Sequence, residues 1–567
     1  MLKILLKGDL LMGKKAYWLF LAMVLTLGLL AACNGADEDA DTDAGEEADA
    51  DADEENGDDE EAAGEPQEGG EVIVAQSSEP ETFLSPYVQG TESSEMTHLI
   101  HEPLYAVTPE IDLEPELAAD EYELSDDGLE YTVPLRDDVY FHDGEQMTAD
   151  DVVYTYELFI DEDYTGPRAE TFQRLESVEA TDDFEVVFTL SEPDAAFELA
   201  LIYDVHPEHI MGDVDIGDLE EHEQSVTEEA VGTGPFEITD WDHGTSLTLE
   251  AFDDHYEKSP LLDTVMVQFV EDDNAALAAF ETQEVDFAQI SEQDADTGET
   301  IEHGDLTSTL GYNYEYIGWN NDNELFEDPD VRRALTMSID RESIVEAVLM
   351  GHGEVAHFPH SPLSDVYTDE IEEIPYDPEG ALELFAEAGW EMNEDDRLEN
   401  EDGELFEFEM VTNNESGRRV DAIVVIQQML DDVGITMEPQ LLEWGAYMDT
   451  VQPPDNDDFD AMLGAWALGV DPTPEYIFHS EEAEQGLNYI NYESDEFDET
   501  VEPNRDVVDP EDRIEILQDA HTIITEDQPY STLYYYDRVD LYNDRLEGYE
   551  THPDEKFYNL HEWWIDE

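Results

Sequence analysis

Side chains able to do chemistry are so common in this chain that most of them cancel as signals. Aspartate and glutamate number 153 of 567 residues. A pair of carboxylates, the usual mark of general acid–base catalysis, therefore says nothing at any one position. The more selective patterns are missing. There is no phosphate-cradling P-loop, dinucleotide-binding glycine turn, nucleophile elbow or H-E-x-x-H zinc motif. His101-Glu102 and His561-Glu562 begin like the last of these but lack the second histidine four residues on. His352, His357 and His360 gather in a glycine- and proline-containing stretch, and three imidazoles can hold a metal. With no carboxylate at fixed helical spacing beside them, they read as exposed polar residues. Asp39, Asp41 and Asp43 imitate the start of a calcium loop, but Ala44 stands where its glycine belongs and no glutamate closes it. No catalytic residue, metal site or cofactor is assigned.

Cys33, the single cysteine, carries a clearer signal. Before it stand Lys14-Lys15, an apolar run over 16–30, and Ala31-Ala32. A basic segment followed by a short apolar run is an export signal, too short for a membrane span. Leu30-Ala31-Ala32-Cys33 is similar to the bacterial lipobox, in which the cysteine takes a lipid and becomes the first residue. The expectation is that 1–32 is a lipoprotein signal peptide, with Met1 or Met12 as its start. One cysteine excludes a disulfide framework. Residues 33–70 then read as an acidic, disordered tether, with 18 acids, no lysine or arginine, and almost nothing apolar larger than alanine.

Nineteen lysines and arginines against 153 acids give a net charge of −134. No basic stripe exists to neutralise phosphates or anionic lipids, so nucleic-acid partners are excluded. Yet 40% of residues are hydrophobic and 10% aromatic, enough for a large core. The acid must coat a folded body, which points to a saline, alkaline exterior where screening makes such a surface tolerable. The same screening erases most surface steering, so weak charge selectivity at high salt is expected.

The elements that would position any site alternate between strand and helix. Period-two patterns predict strands over 72–75, 131–135, 184–190, 246–251, 285–290, 406–411, 435–441, 459–467 and 532–536. Helical spacing and caps predict helices over 149–160, 273–282, 379–388, 419–433 and 512–525, with another opening at Asp328-Pro329. Asp150 is the expected cap of the first. Asp126-Asp127-Gly128 and His142-Asp143-Gly144 read as tight turns rather than chemistry. Arg332, Arg333 and Arg341 are scarce cations, expected to pair with nearby acids and hold a helix.

Several stretches in order resemble one family. They are Leu124-Ser125-Asp126-Asp127-Gly128; Phe141-His142-Asp143-Gly144 with Thr148-Ala149-Asp150-Asp151-Val152; Gly232-Thr233-Gly234-Pro235-Phe236; Asp330-Val331-Arg332-Arg333-Ala334-Leu335 with Ile339-Asp340-Arg341; Tyr376-Asp377-Pro378-Glu379 through Gly389-Trp390; and Phe459-Asp460-Ala461 with Asn488-Tyr489. Together they resemble the oligopeptide/dipeptide-binding lipoproteins of bacterial ABC importers, extracellular solute-binding protein family 5. The resemblance implies an α/β, two-lobed periplasmic-binding-protein-like fold with a hinge and an extra third lobe (class II, cluster C type). It places lobe I at 71–314 plus 531–567, an extra lobe within it at about 97–230, and lobe II at 315–530. The crossings would fall near 312–319 and 531–537.

The resemblance also implies a function. Such a chain captures peptides, oligopeptides here, and delivers them to an ABC transporter permease; it is no enzyme, acts as a monomer, and is held on the outer face of the membrane through lipid on Cys33. One ligand-binding strand edge would come from Gln89, Gly90 and Thr91, the other from Ala465, Trp466 and Ala467. The carboxylate that holds the ligand ammonium commonly lies three residues after that tryptophan. Gly469 stands there instead, and Asp471 is the nearest substitute. Trp466 suits either the core or the ligand. The alternative keeps the fold and changes the solute to a nickel complex, haem, glutathione or a sugar oligomer.

Overall fold

Strand alternation along the chain resolves into one large sheet. The computed structural model describes residues 66–567 apart from 170, 369, 370, 372, 455–458 and 567. Cys33, the export segment, the Asp39–Asp43 stretch and most of the tether lie outside the described residues. Eleven strands join in the order Thr436–Leu442, Glu407–Asn413, Ala461–Trp466, Gly304–Trp319, Tyr530–Asn543, Phe287–Ile290, Glu71–Gln76, Thr264–Phe269, Ser246–Ala251 and Phe236–Asp242, with Gly353–Val355 also paired to Tyr530–Asn543.

Two strands hold this arrangement together. Gly304–Trp319 and Tyr530–Asn543 run antiparallel from Gly304 opposite Asn543 to Gly318 opposite Tyr530, with a register shift between Leu310 and Tyr314. On one side of that shift, Val539 and Leu541 are buried with Ala75, Phe280 and Ile290. On the other, Ile317, Trp319 and Leu533 are buried with Ala334, Leu335 and Ile423. Long strands that enter separate cores at their two ends are how one sheet serves two lobes.

A third module has its own core. Glu123–Leu124, Glu130–Pro134, Glu185–Leu190 and Leu175–Asp182 form a four-stranded antiparallel sheet. Helix Ala149–Ile160 covers it, and Val133, Val152, Tyr156, Phe172 and Phe188 are buried between them. The fold is thus α/β and two-lobed with an added third module.

Helix starts follow their caps. The side chains of Asp328 and Asp377 accept hydrogen bonds from the N–H groups of Asp330 (3.0 Å) and Gly380 (2.9 Å), with proline at the first helical position in each case. The cap of Ala149–Ile160 is Thr148, not Asp150: the carboxylate of Asp151 accepts from the Thr148 N–H at 2.8 Å, a reciprocal arrangement that places Asp150 inside the first turn. Gly128 and Gly144 take φ of +70° and +87°, as the two tight turns require.

Two of the scarce arginines, Arg332 and Arg341, differ from expectation. Arg332 is buried and donates to backbone carbonyls of Phe326 (2.6 Å), Asp527 (2.5 Å) and Gln528 (3.1 Å). Arg341, also buried, donates to the carbonyls of Ala356 (2.6 Å), Thr532 (3.0 Å) and Ile374. Both guanidiniums donate to backbone carbonyls rather than to carboxylates. Burial pushes the pKa of Arg341 down to about 10.

Candidate ligand cleft

The Ala461–Trp466 strand brings one set of candidate residues to a free edge. One of its sides pairs with Gly304–Trp319 along its length, Glu315 opposite Ala465 and Tyr314 opposite Trp466. Its other side pairs with Glu407–Asn413 only at Ala461 and Met462. Past Met462 that edge has no strand partner among the described residues, and beyond buried Gly464 its backbone is near enough to the surface for an extended ligand to reach. Ala465 and Trp466 are half-buried and Ala467 is exposed. The Trp466 ring lies parallel to Tyr316 at 6.3 Å, contacts Tyr489 at 5.4 Å, and its Nε1–H donates to the Tyr530 hydroxyl at 3.3 Å. It is fixed by the core on one side and open on the other.

The second candidate segment is not a strand. Gly90 is the N-cap of a short helix, Thr91–Thr97, and its backbone is extended, φ −95° and ψ 146°. Gln89 is exposed and Gly90 partly so, while Thr91 lines a cavity of about 590 Å³. Gly469 and Val470, just beyond the Trp466 strand, line the same cavity. A side chain at Gly469 would meet nothing within 4 Å.

Asp471 has a partner. Its Oδ1 accepts from Arg513 at 2.6 Å and from the Thr473 N–H at 3.2 Å. Arg513 is 9% exposed, so this pair sits in a protein-rich environment. The histidines also depart from expectation. His360 is 3% exposed, and burial lowers its pKa to about 4. His357 lies beside Arg341, and His352 meets Ser308 at 2.9 Å. They do not converge, and no group of three metal-ligating side chains occurs among the described residues.

Residues without a signal of their own join segments far apart in the chain. Arg418 donates to Glu292 (2.7 Å) and to Glu315 (3.0 Å), and its guanidinium lies 3.6 Å over the Tyr536 ring. Glu315 is fully buried on the Gly304–Trp319 strand and also accepts from the Tyr534 hydroxyl at 2.6 Å. Burial works against the Arg418 charge, but the two carboxylates outweigh it and hold its pKa above the usual value. Farther out, Arg505 holds buried Asp194 at 2.5 and 3.2 Å, and Arg174 meets Asp506 at 2.8 Å. Only the rarity of cations in this chain hinted at such roles.

The model of the bacterial extracellular solute-binding proteins, family 5 Middle, matches residues 112–486. The oligopeptide-binding protein AppA of Bacillus subtilis (strain 168) is 36% identical over 557 residues, covering 97% of this chain and 99% of that protein. The chain belongs to family 5 of the bacterial extracellular solute-binding proteins. Among solved structures of this family, AppA from Bacillus subtilis in complex with a nonapeptide superimposes with a TM-score of 0.74 at 38% identity, covering 89% of this chain and 100% of that one. NikZ from Campylobacter jejuni in complex with Ni(L-His) gives a TM-score of 0.74 at 25% identity, over 87% and 99%. Family 5 proteins act outside the cell or in the periplasm, and no helix among the described residues is long and apolar enough to cross a membrane.

Proposed function

We propose that this family 5 protein is a receptor that captures oligopeptides outside the cell and delivers them to an ABC transporter permease, without chemistry of its own. The unpaired edge over Ala465 and Trp466, continuing to exposed Ala467, carries this reading. Backbone pairing along such an edge binds an extended peptide whatever its side chains. The similarity to an oligopeptide-binding protein along nearly the whole chain supports it. Ala465, Trp466 and Ala467 would form one wall and Gln89, Gly90 and Thr91 the facing one. Asp471 would meet the ligand ammonium through Oδ2, since Arg513 holds Oδ1.

The lobes assigned to this scheme are 71–314 plus 531–567 and 315–530, with an extra lobe at about 97–230. The separate buried clusters on either side of the Leu310–Tyr314 register shift support that division. Ligand touching both lobes favours the closed form, because only such differential contact moves the balance. Cys33 would carry the lipid that holds a monomeric receptor on the outer face of the membrane, in a saline setting. Changing Cys33→Ser should then move the chain from the membrane fraction into the medium or periplasm.

The deciding experiment is to purify the protein in molar salt, denature it, and identify what is released by mass spectrometry. Peptides are expected, along with measurable affinity for a peptide mixture. No peptide and no affinity would sink the reading. One observation favours the second reading, a solute other than a peptide such as a nickel complex, haem, glutathione or a sugar oligomer. Gly469 stands where the resemblance leads one to expect the anchoring acid, and Asp471 is already engaged by Arg513. Undiminished peptide affinity in Asp471→Asn would count against the anchor.

A further inference from the structure

The cavity of about 590 Å³ that Thr91 and Gly469 line has an unusual wall. Ten carboxylates line it against one guanidinium, Arg168, whose Nη2 donates to the Val88 carbonyl at 3.2 Å. In so acidic a chain, carboxylates alone would mean little. Asp204 is different. It lines the cavity, is 1% exposed, and neither of its oxygens receives a hydrogen bond; the nearest cationic group is His98 Nε2 at 3.9 Å. Glu102 Oε2 is likewise buried without a donor, although its Oε1 receives His255 at 2.8 Å. Glu95, by contrast, meets Lys556 at 3.3 Å, and Glu116 accepts from the Tyr256 hydroxyl at 2.9 Å.

A buried carboxylate without donors is unfavourable unless something supplies them. Three buried oxygens without donors in one cavity, both of Asp204 and Oε2 of Glu102, call for a donor-rich, positively charged visitor. We propose that this cavity is a subsite for a cationic side chain, arginine or lysine, of the bound peptide, with Asp204 and Glu102 as its specificity-determining residues. The inference rests on the peptide reading above. Charge-assisted hydrogen bonds to a guanidinium or ammonium would satisfy both acids at once. Burial, opposed by His98 and aided by Glu555 and Glu102, lifts the Asp204 carboxyl to about 7. Burial and the neighbouring Glu102 lift Glu116 to about 8. An arriving cation reverses both shifts, so the empty cavity is less charged than its residue count suggests. Salt screens exposed pairs much more than buried ones in contact. Selectivity from this cavity therefore survives conditions that erase surface steering.

The test is a set of otherwise identical alanine-rich peptides carrying arginine, lysine, norleucine or glutamate at each position in turn, titrated calorimetrically in molar salt. At one position the wild-type protein should bind arginine or lysine at least about tenfold more tightly than norleucine, with glutamate weakest. In Asp204→Asn and, separately, Glu102→Gln, that ratio should fall towards one. Using a ratio within each folded variant, checked by its thermal transition, separates lost selectivity from lost structure. A wild-type ratio near one at every position overturns the inference while leaving peptide capture standing, as does a ratio that both variants retain. Failure of every peptide to bind overturns the functional reading itself.

Discussion

At the scale of single residues, buried histidines and buried acids cost stability in opposite directions of pH. His206 is 1% exposed, its Nε2 accepts from the Ser85 N–H at 3.2 Å, and burial lowers its pKa to about 3. His521 is fully buried and also lowered to about 3, by burial first and His360 second. An unfolded histidine takes a proton near 6.5, so below that pH the unfolded state binds more protons and stability falls. Each such histidine steepens the decline by up to about 1.4 kcal/mol per pH unit. Asp204 has the opposite sign. Its raised pKa contributes stability below the unfolded value near 4 that is lost as pH rises through about 7. His206→Gln should lower stability at neutral pH yet flatten its fall between about pH 6.5 and pH 5. Thermal melts across that range, with a slope unchanged from wild type, would speak against the neutral buried imidazole. None of this was legible in the sequence, where Asp204 is one acid among 153. Asp471 could be singled out by its place after Trp466, but its partner Arg513 lies 42 residues on and no local pattern joins them.

Elements were legible where capping chemistry or strict alternation marks them. Asp328-Pro329 and Asp377-Pro378 announce their helices, and strand Ser246–Ala251 has the boundaries its pattern predicts. The two longest strands were only partly legible. Tyr530–Asn543 extends well past the alternation over 532–536, and Gly304–Trp319 mixes Thr, Ser, Tyr and Asn because its faces serve different cores. Their ladder also holds Glu315, and with it the Arg418 network. Replacing Arg418 by methionine leaves Glu292 buried without its counter-charge and Glu315 with only Arg419, at 3.5 Å, which should cost about 3 kcal/mol. Arg418→Lys should recover only part of that, because a point charge cannot serve both carboxylates and lie flat on Tyr536. Melting both variants in molar salt checks this. A loss below about 1 kcal/mol for the methionine variant would mean the pair behaves like an exposed one.

For the whole molecule, charge and topology set the terms. A net charge of −134 repels itself across any compact form. The screening length is about 3 Å at 1 M salt and about 30 Å at 0.01 M. Gel filtration and circular dichroism should therefore show a compact body in molar salt and expansion in millimolar salt. A stable, compact body in millimolar salt would remove the saline reading and leave the receptor reading intact. The acids that matter to binding are those that screening reaches least, inside the cavity beside Asp204.

The central ladder also imposes an order on the making of the protein. Tyr530–Asn543 lies in the middle of the large sheet, between Gly304–Trp319 and Phe287–Ile290, yet it is the last long strand to be synthesised. Trp319 and Pro529 are joined by a backbone hydrogen bond of 3.2 Å, so everything between them is an excursion that returns to its starting point. Until Tyr530–Asn543 emerges, both halves of the sheet keep an open inner edge and neither can lock to the other. Closure of the large sheet therefore waits on a strand that is made after both of the halves it joins.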